Sequence, residues 1–243
     1  MRRGFVPLDR ALSKLGLASR TDARRLISDG RVVVNGRAVT NPAAAVVPER
    51  DDIVVEGRRA ARAPWRTIAF HKPRGVVTTR RDPQGRRTVF DVLGSDGDGL
   101  VAVGRLDLAS TGLLLLTNDT QLADALTDPS NAIPRRYVVT VRGSVSDASV
   151  EKLKAGIEGL AANEIVIRKR SNRETHLIVE LAEGKNREIR RLFAAVGHEV
   201  TKLLRVSFGP IELGTLPPGK WREVGRDEIA ASVRIGSSLN YKR

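Results

Sequence analysis

An aspartate two residues after an arginine, Arg105-Leu106-Asp107, stands between Gly104 and Gly112, just ahead of an uninterrupted apolar run, Leu113 to Leu116. The run is closed by Asn118-Asp119 and reads as a strand buried on both faces. Such a strand needs no charge of its own, so charged groups at its mouth are either structural or reactive. Position alone fits Asp107 as a turn residue or a local partner of Arg105, because acids near strand ends are common. The remaining inventory narrows the available chemistry. There is no cysteine, which removes disulfides, thiolate catalysis and cysteine-based metal sites. The three histidines, His71, His176 and His198, do not pair at metal-ligand spacing. No metal is therefore expected, and any reaction should run on carboxylate, Tyr, Lys or Arg.

Two further stretches could contribute. Tyr137 is one of two tyrosines and lies in Ile133 to Val141, a β-branched run that reads as a strand. A lone strand tyrosine is ordinarily a core or interface residue. Residues 183 to 191, Glu-Gly-Lys-Asn-Arg-Glu-Ile-Arg-Arg, lead into Leu192, Phe193 and Val196, the apolar face of a helix that Gly197 stops. Arg187 and Arg191 there fit exposed phosphate contacts or solvated charge equally well.

The elements that must position these residues fall into two groups. From Pro7 to Gly57 the pattern is helix, helix, hairpin. Leu8, Leu12 and Leu15 space a first helix that ends near Gly16, and Ser19-Arg20-Thr21-Asp22 is a capping box for a second that Gly30 ends. Val32 to Val34 and Ala38-Val39 flank Asn35-Gly36, the signature of a type I′ turn. Residues 58–66, rich in Arg and Ala with a Pro, read as a linker. Thr67 to Phe70 opens the second group as a strand, with Pro73 and Gly75 turning the chain into a second strand candidate, Val76 to Thr79. Thr88 to Leu93 is a helical turn, Gly94 to Gly99 a loop, and Thr120 to Leu126 a short helix that Asp128-Pro129 ends. A helix from Ser146 to Gly156, strands at Glu164–Lys169 and His176–Leu181, further strands between Glu199 and Val224, and a last helix from Asp227 to Val233 complete the pattern. The class is α+β, with a small domain at 7–57, a larger one at 67–235 built on a mixed, mostly antiparallel sheet, and a basic tail at 236–243.

A formal charge of +14 and a pI near 11.0 favour a polyanionic partner, nucleic acid before an anionic membrane. No apolar stretch approaches the about 20 residues of a membrane span, and the N-terminus lacks an apolar signal core. A soluble, cytoplasmic protein is expected. Lys14, Arg20, Arg24, Arg25, Arg31 and Arg37 cluster on the second helix and its neighbours, as either a solvated face or an RNA-binding one.

Taken as a whole, GRLDLASTGLLLLTND resembles the catalytic motif of pseudouridine synthases of the RsuA type, which modify ribosomal RNA. ASRTDARRLI followed by VVVNGR resembles the S4 RNA-binding domain, and KPRG, the Arg-Arg-Tyr of residues 135–137 and EGKNREIRR match further family motifs. The resemblance implies that Asp107 is the essential catalytic residue, that Tyr137 stacks on the target uracil, and that Arg190 pairs with Asp107. Glu188 stands where the family more often has Gln. The resemblance further implies that the basic S4 residues bind RNA and that Lys72 of KPRG is architectural; Arg105, Arg187 and Arg191 are expected as additional RNA contacts. The partner would be ribosomal RNA or a ribosome assembly intermediate, met by a monomer. DPQGRRTVFDVL and EGKNREIRRLFAAVG resemble large-subunit more than small-subunit rRNA enzymes.

The implied reaction breaks the N1–C1′ bond of uridine, turns the base and joins C5 to C1′, without redox change or net hydrolysis, so no cofactor is expected. An ionised Asp107 can attack, stabilise or deprotonate at the sugar. Two rivals remain: an S4-bearing RNA methyltransferase, for which no Gly-rich G-x-G-x-x-G turn exists, and a ribosome-associated RNA-binding protein with an inert second domain.

Overall fold

The computed structural model describes residues 5–48, 50–59 and 64–233, with the side chains of Lys14 and of residues 231–233 outside that description. The chain divides into two compact units, the first formed mainly by residues up to Arg66 and the second mainly by those after it.

The first unit carries β1 (Val6–Pro7), α1 (Leu8–Lys14), α2 (Arg20–Ser28), β2 (Val32–Val34), β3 (Arg37–Ala38), β4 (Ala45–Val46), β5 (Ile53–Val55) and β6 (Arg58–Arg59). Its core is Leu8, Leu12, Ala23, Ile27, Val32 and Ile53, the apolar positions that the helical and strand spacings supply. Ser19 caps α2 by accepting from Asp22 N at 3.1 Å, while the Asp22 carboxylate accepts from the Ser19 hydroxyl at 2.7 Å. The expected capping box is thus only half formed. The hairpin forms as expected, with Asn35 and Gly36 at φ 51° and 78°, the two positive values that a type I′ turn requires. The stretch expected as a linker starts later, because Arg58 and Arg59 pair with Val55 and Val54 and extend the small sheet β3-β2-β5-β6.

The second unit is built on one mixed sheet. Its strands are β7 (Thr67–Lys72), β8 (Val101–Val103), β9 (Thr111–Thr117), β10 (Arg135–Arg142), β11 (Glu164–Arg170), β12 (Glu174–Leu181), β13 (Val200–Phe208), β14 (Ile211–Glu212) and β15 (Trp221–Glu223). The order is β11-β12-β10-β13-β9-β7-β15, with β14 on β13 and β8 on β9. Of the sheet's main ladders, β9–β13 is parallel and the rest are antiparallel. Helices α3 (Val89–Leu93), α4 (Thr120–Thr127), α5 (Asp147–Ala155), α6 (Glu188–Ala195) and α7 (Arg226–Val233) complete it. The residues expected as a loop at 94–99 begin with a 3-10 turn, Gly94–Gly97. The basic tail at 236–243 lies outside the described residues.

Strand β9 is the centre of this unit. Leu113 to Leu116 are fully buried, as the uninterrupted apolar run requires. At its start Gly112 is paired with Lys72 on one side and with Arg205 on the other. Gly112 has φ 109°, and a Cβ there would fall 2.6 Å from Arg205 N and closer still to the Arg205 carbonyl oxygen. Only glycine fits such an approach. The substitution Gly112→Ala is therefore expected to cost roughly 2–4 kcal/mol, read as a lower denaturant midpoint. A wild-type midpoint would contradict the close approach.

Candidate active site

The Asp107 loop has little secondary structure of its own, and its backbone is held by Lys72 at the end of β7 and by the segment that follows. Lys72 is fully buried, and its ammonium donates to three carbonyls: Pro73 O at 3.1 Å, Asp107 O at 3.1 Å and Ser110 O at 2.9 Å. Gly75 N donates to Leu108 O at 2.8 Å. The Thr78 hydroxyl donates to Leu106 O at 2.9 Å and accepts from Leu106 N at 3.2 Å. Val76 to Thr79 does not form the expected strand: it makes a single bridge, Val77 to Thr88, with Val77 N donating to Arg87 O and Val77 O accepting from Val89 N, while the Thr78 hydroxyl turns to the loop. Burial lowers the Lys72 pKa to about 8, with Asp107 opposing that shift and Arg205 adding to it. Lys72 thus positions the loop through its backbone, the architectural role expected for it.

Asp107 and Tyr137 come together. Both line a cavity of about 440 Å³, whose walls also include Arg105, Ser110, Arg135, Leu181, Arg187, Glu188, Ile189, Leu203, Arg205 and Phe208. The volume suits one small ligand or a single extruded nucleotide. Asp107 is half-buried and Tyr137 is 7 % exposed, whereas Arg105 and Arg187 are exposed at the cavity's edge. Arg187 caps α6 at φ 49°.

Two arginines sit deeper. Arg135 donates to Ile133 O, Ala182 O and Leu126 O at 3.1, 2.9 and 3.2 Å. Arg205 donates through Nε to Leu113 O at 2.6 Å, while its Nη2 is buried without a partner. Both guanidinium groups stand over the Phe208 ring, at 4.7 and 5.3 Å from its centre. Arg205 was not anticipated as a site residue. A signal was available, since it shares the inward phase of β13 with Leu203, and an arginine in a core phase is rarely idle.

Arg190 stands outside the cavity lining and makes no ion pair with Asp107, unlike the pairing expected for it. Its Nη1 donates to Val200 O at 2.8 Å, and its Nε is buried without a partner. Burial and the neighbouring Arg187 lower its pKa, and Asp107 acts in the opposite direction, so the two charges interact without touching. Arg191 is exposed and 3.8 Å from Glu158.

In the first unit Arg20, Arg24, Arg25, Arg31 and Arg37 are all exposed. Arg24 nonetheless has internal work: its Nε meets the buried Asp9 carboxylate at 2.9 Å, with Arg20 at 3.8 Å from the same oxygen. Arg31 pairs with Glu56. Arg25 and Arg37 carry no ion pair among the described residues. No group of metal-ligating side chains occurs among the described residues, and no described helix is long and apolar enough to cross a membrane.

Glu188 is buried, and one carboxylate oxygen accepts from Lys185 N at 3.0 Å, closing the loop before α6. Desolvation raises its pKa above the ordinary 4.5, against the backbone hydrogen bond that lowers it. In the window above 4.5 the folded protein holds this proton more tightly than the unfolded chain, so stability falls as pH rises through it. Glu188→Gln keeps the acceptor and removes the titration. It is expected to raise the denaturant midpoint at pH 8, with the difference closing towards pH 4.5. A difference independent of pH would refute this assignment.

Comparison with known proteins agrees with this geometry. Residues 66–195 match the RNA pseudouridylate synthase family model, and residues 6–52 match that of the S4 domain. The chain is 37 % identical to an uncharacterized RNA pseudouridine synthase of Aquifex aeolicus, over 93 % of this chain and 92 % of the relative. It is 40 % identical to ribosomal large subunit pseudouridine synthase B of Escherichia coli K12, over 89 % of this chain and 78 % of that one. A crystal structure of a pseudouridylate synthase superposes with a TM-score of 0.65 at 26 % identity, covering 94 % of this chain and all of that one. With an S4 domain preceding a mixed-sheet domain in which Asp107 and Tyr137 face one cavity, the chain belongs to the RNA pseudouridylate synthase family.

Proposed function

We propose that this enzyme isomerises a specific uridine of large-subunit ribosomal RNA to pseudouridine. The observation that carries the reading is the shared cavity of about 440 Å³ in which a carboxylate, Asp107, and a tyrosine, Tyr137, converge from different strands and loops. The 40 % identity to a large-subunit enzyme supports the choice of RNA. The target base leaves its helix and enters the cavity. Tyr137 offers a flat face for stacking, and its hydroxyl takes part in removing the C5 proton. Asp107 acts on the sugar as the N1–C1′ bond breaks. The freed uracil turns, C5 bonds to C1′, and the proton lost from C5 is balanced by one gained at N1. Arg190 supplies a counter-charge to Asp107 without pairing with it. Residues 7–57 act as the RNA-binding unit and 67–235 as the catalytic one, in a cytoplasmic monomer working on ribosomal RNA or a ribosome assembly intermediate.

The test is the pseudouridine content of large- and small-subunit rRNA transcripts after incubation with each protein. Wild type is expected to modify the large-subunit transcript at one site, without added cofactor, and Asp107→Asn to form no pseudouridine there. Because Asp107 makes no ion pair among the described residues, the substitution should change stability by less than about 1 kcal/mol. An active Asp107→Asn protein would place the chemistry elsewhere, and modification of the small-subunit transcript alone would overturn the choice of RNA.

The S4 arginines separate in the same system. Arg25→Ala is expected to weaken RNA binding and lower the salt slope by roughly 1, with folding unchanged. Arg24→Ala should weaken binding and also lower stability, because it strips the buried Asp9 carboxylate of its close partner. Unchanged affinity and slope in Arg25→Ala would leave that residue as solvated surface.

A further inference from the structure

Two of the polar atoms buried without a partner belong to residues of the cavity itself: Arg205 Nη2 and Ser110 Oγ. Arg205 is 3 % exposed and Ser110 1 % exposed, so neither is served by bulk water. Leaving such groups unpaired inside a protein is destabilising, which is why buried polar groups almost always find partners. A site that keeps both is built for a ligand that supplies the partners.

We propose that Arg205 and Ser110 form the base-reading subsite of the cavity, donating to a carbonyl oxygen of the extruded pyrimidine and so selecting uridine against cytidine; this rests on the function proposed above. The complementarity is chemical. A guanidinium has donors only, whereas a hydroxyl donates or accepts. Uracil presents a carbonyl, O4, beside a donor, N3–H, and this pair suits a cavity that offers a donor-only group and one that does both. Cytosine carries an amino group in place of O4, which would set N–H against N–H and strand a buried charge.

The placement of the other cations distinguishes base from phosphate. A nucleotide that flips carries its base inward while its phosphates stay on the strand outside. Arg105 and Arg187 are exposed at the cavity's edge, where phosphates would pass. Arg205 lies deep, against Phe208 and in a lining that includes Leu181, Ile189 and Leu203. Its orientation is fixed rather than adaptable: Nε is tied to Leu113 O, and its backbone is pressed against Gly112. A group held so rigidly, with its remaining donors uncommitted, positions a ligand at little entropic cost.

The experiment uses Ser110→Ala, Arg205→Lys and Arg205→Met in the full chain, with a large-subunit rRNA fragment spanning the uridine that wild type modifies. Turnover is measured on that fragment. Binding is measured by competition with fragments carrying cytidine or an abasic residue at the same position. Arg205→Met is expected to lower kcat/KM roughly ten- to hundredfold and to erase the preference for uridine over cytidine, and Arg205→Lys to do so in part. Ser110→Ala is expected to lose roughly three- to tenfold while unfolding at the wild-type midpoint or above, since its hydroxyl has no partner to lose. If Arg205→Met fails to fold, Ser110→Ala decides. Equal weakening for uridine, cytidine and abasic fragments would make the contact one to phosphate and overturn the base assignment. Wild-type kinetics and discrimination in Ser110→Ala and Arg205→Met would overturn the subsite altogether. Absence of pseudouridine with the wild-type protein would instead overturn the function on which it rests.

Discussion

A buried ammonium, Lys72, is the contact on which the site depends. It closes three carbonyl groups into one point, two of them belonging to the loop that carries Asp107. The cost of taking this charge out of water is visible in a pKa drawn down to about 8. What offsets it is that each donor meets an acceptor and that Asp107 lies near enough to favour the charged form. Because the loop is fixed through its backbone, the Asp107 side chain is left without a hydrogen bond or ion pair of its own among the described residues. A carboxylate that lines the cavity is thereby positioned without being consumed by its support.

The same strand edge explains why the second group of charges sits where it does. Gly112 is paired on both sides, with Lys72 in β7 and with Arg205 in β13. Its missing side chain lets β13 run parallel and close to β9, and this delivers Arg205 to the cavity beside the Asp107 loop. Lys72 and Arg205 repel one another, with Asp107 as the opposing charge. The site is therefore a set of cations arranged around one acid, inside a protein of net charge +14. Buried cations are committed to carbonyls or to the cavity, and exposed ones to the surface where a polyanion arrives.

Much of this was legible in the residues. Periodicity and turn chemistry are local, so the Leu113–Leu116 strand, the Asn35-Gly36 hairpin and the helices ending at Gly16, Gly30 and Gly197 follow from neighbours in the chain. Asp107 and Tyr137 followed from motif resemblance, and the geometry brings them into one cavity. What the sequence could not determine is which distant groups satisfy one another. Lys72 reaches Asp107 O across 35 residues and Arg205 reaches Leu113 O across 92, distances over which no local pattern operates. Tertiary structure alone decided that Thr78 spends its hydroxyl on the Asp107 loop, that Arg24 is tied to Asp9, that Arg190 influences Asp107 without an ion pair, and that Arg205 is buried with donors to spare. The physical reason is common to all four. A side chain's identity states what it can donate or accept, but its partner is chosen by strand order and register, which exist only once the sheet has formed.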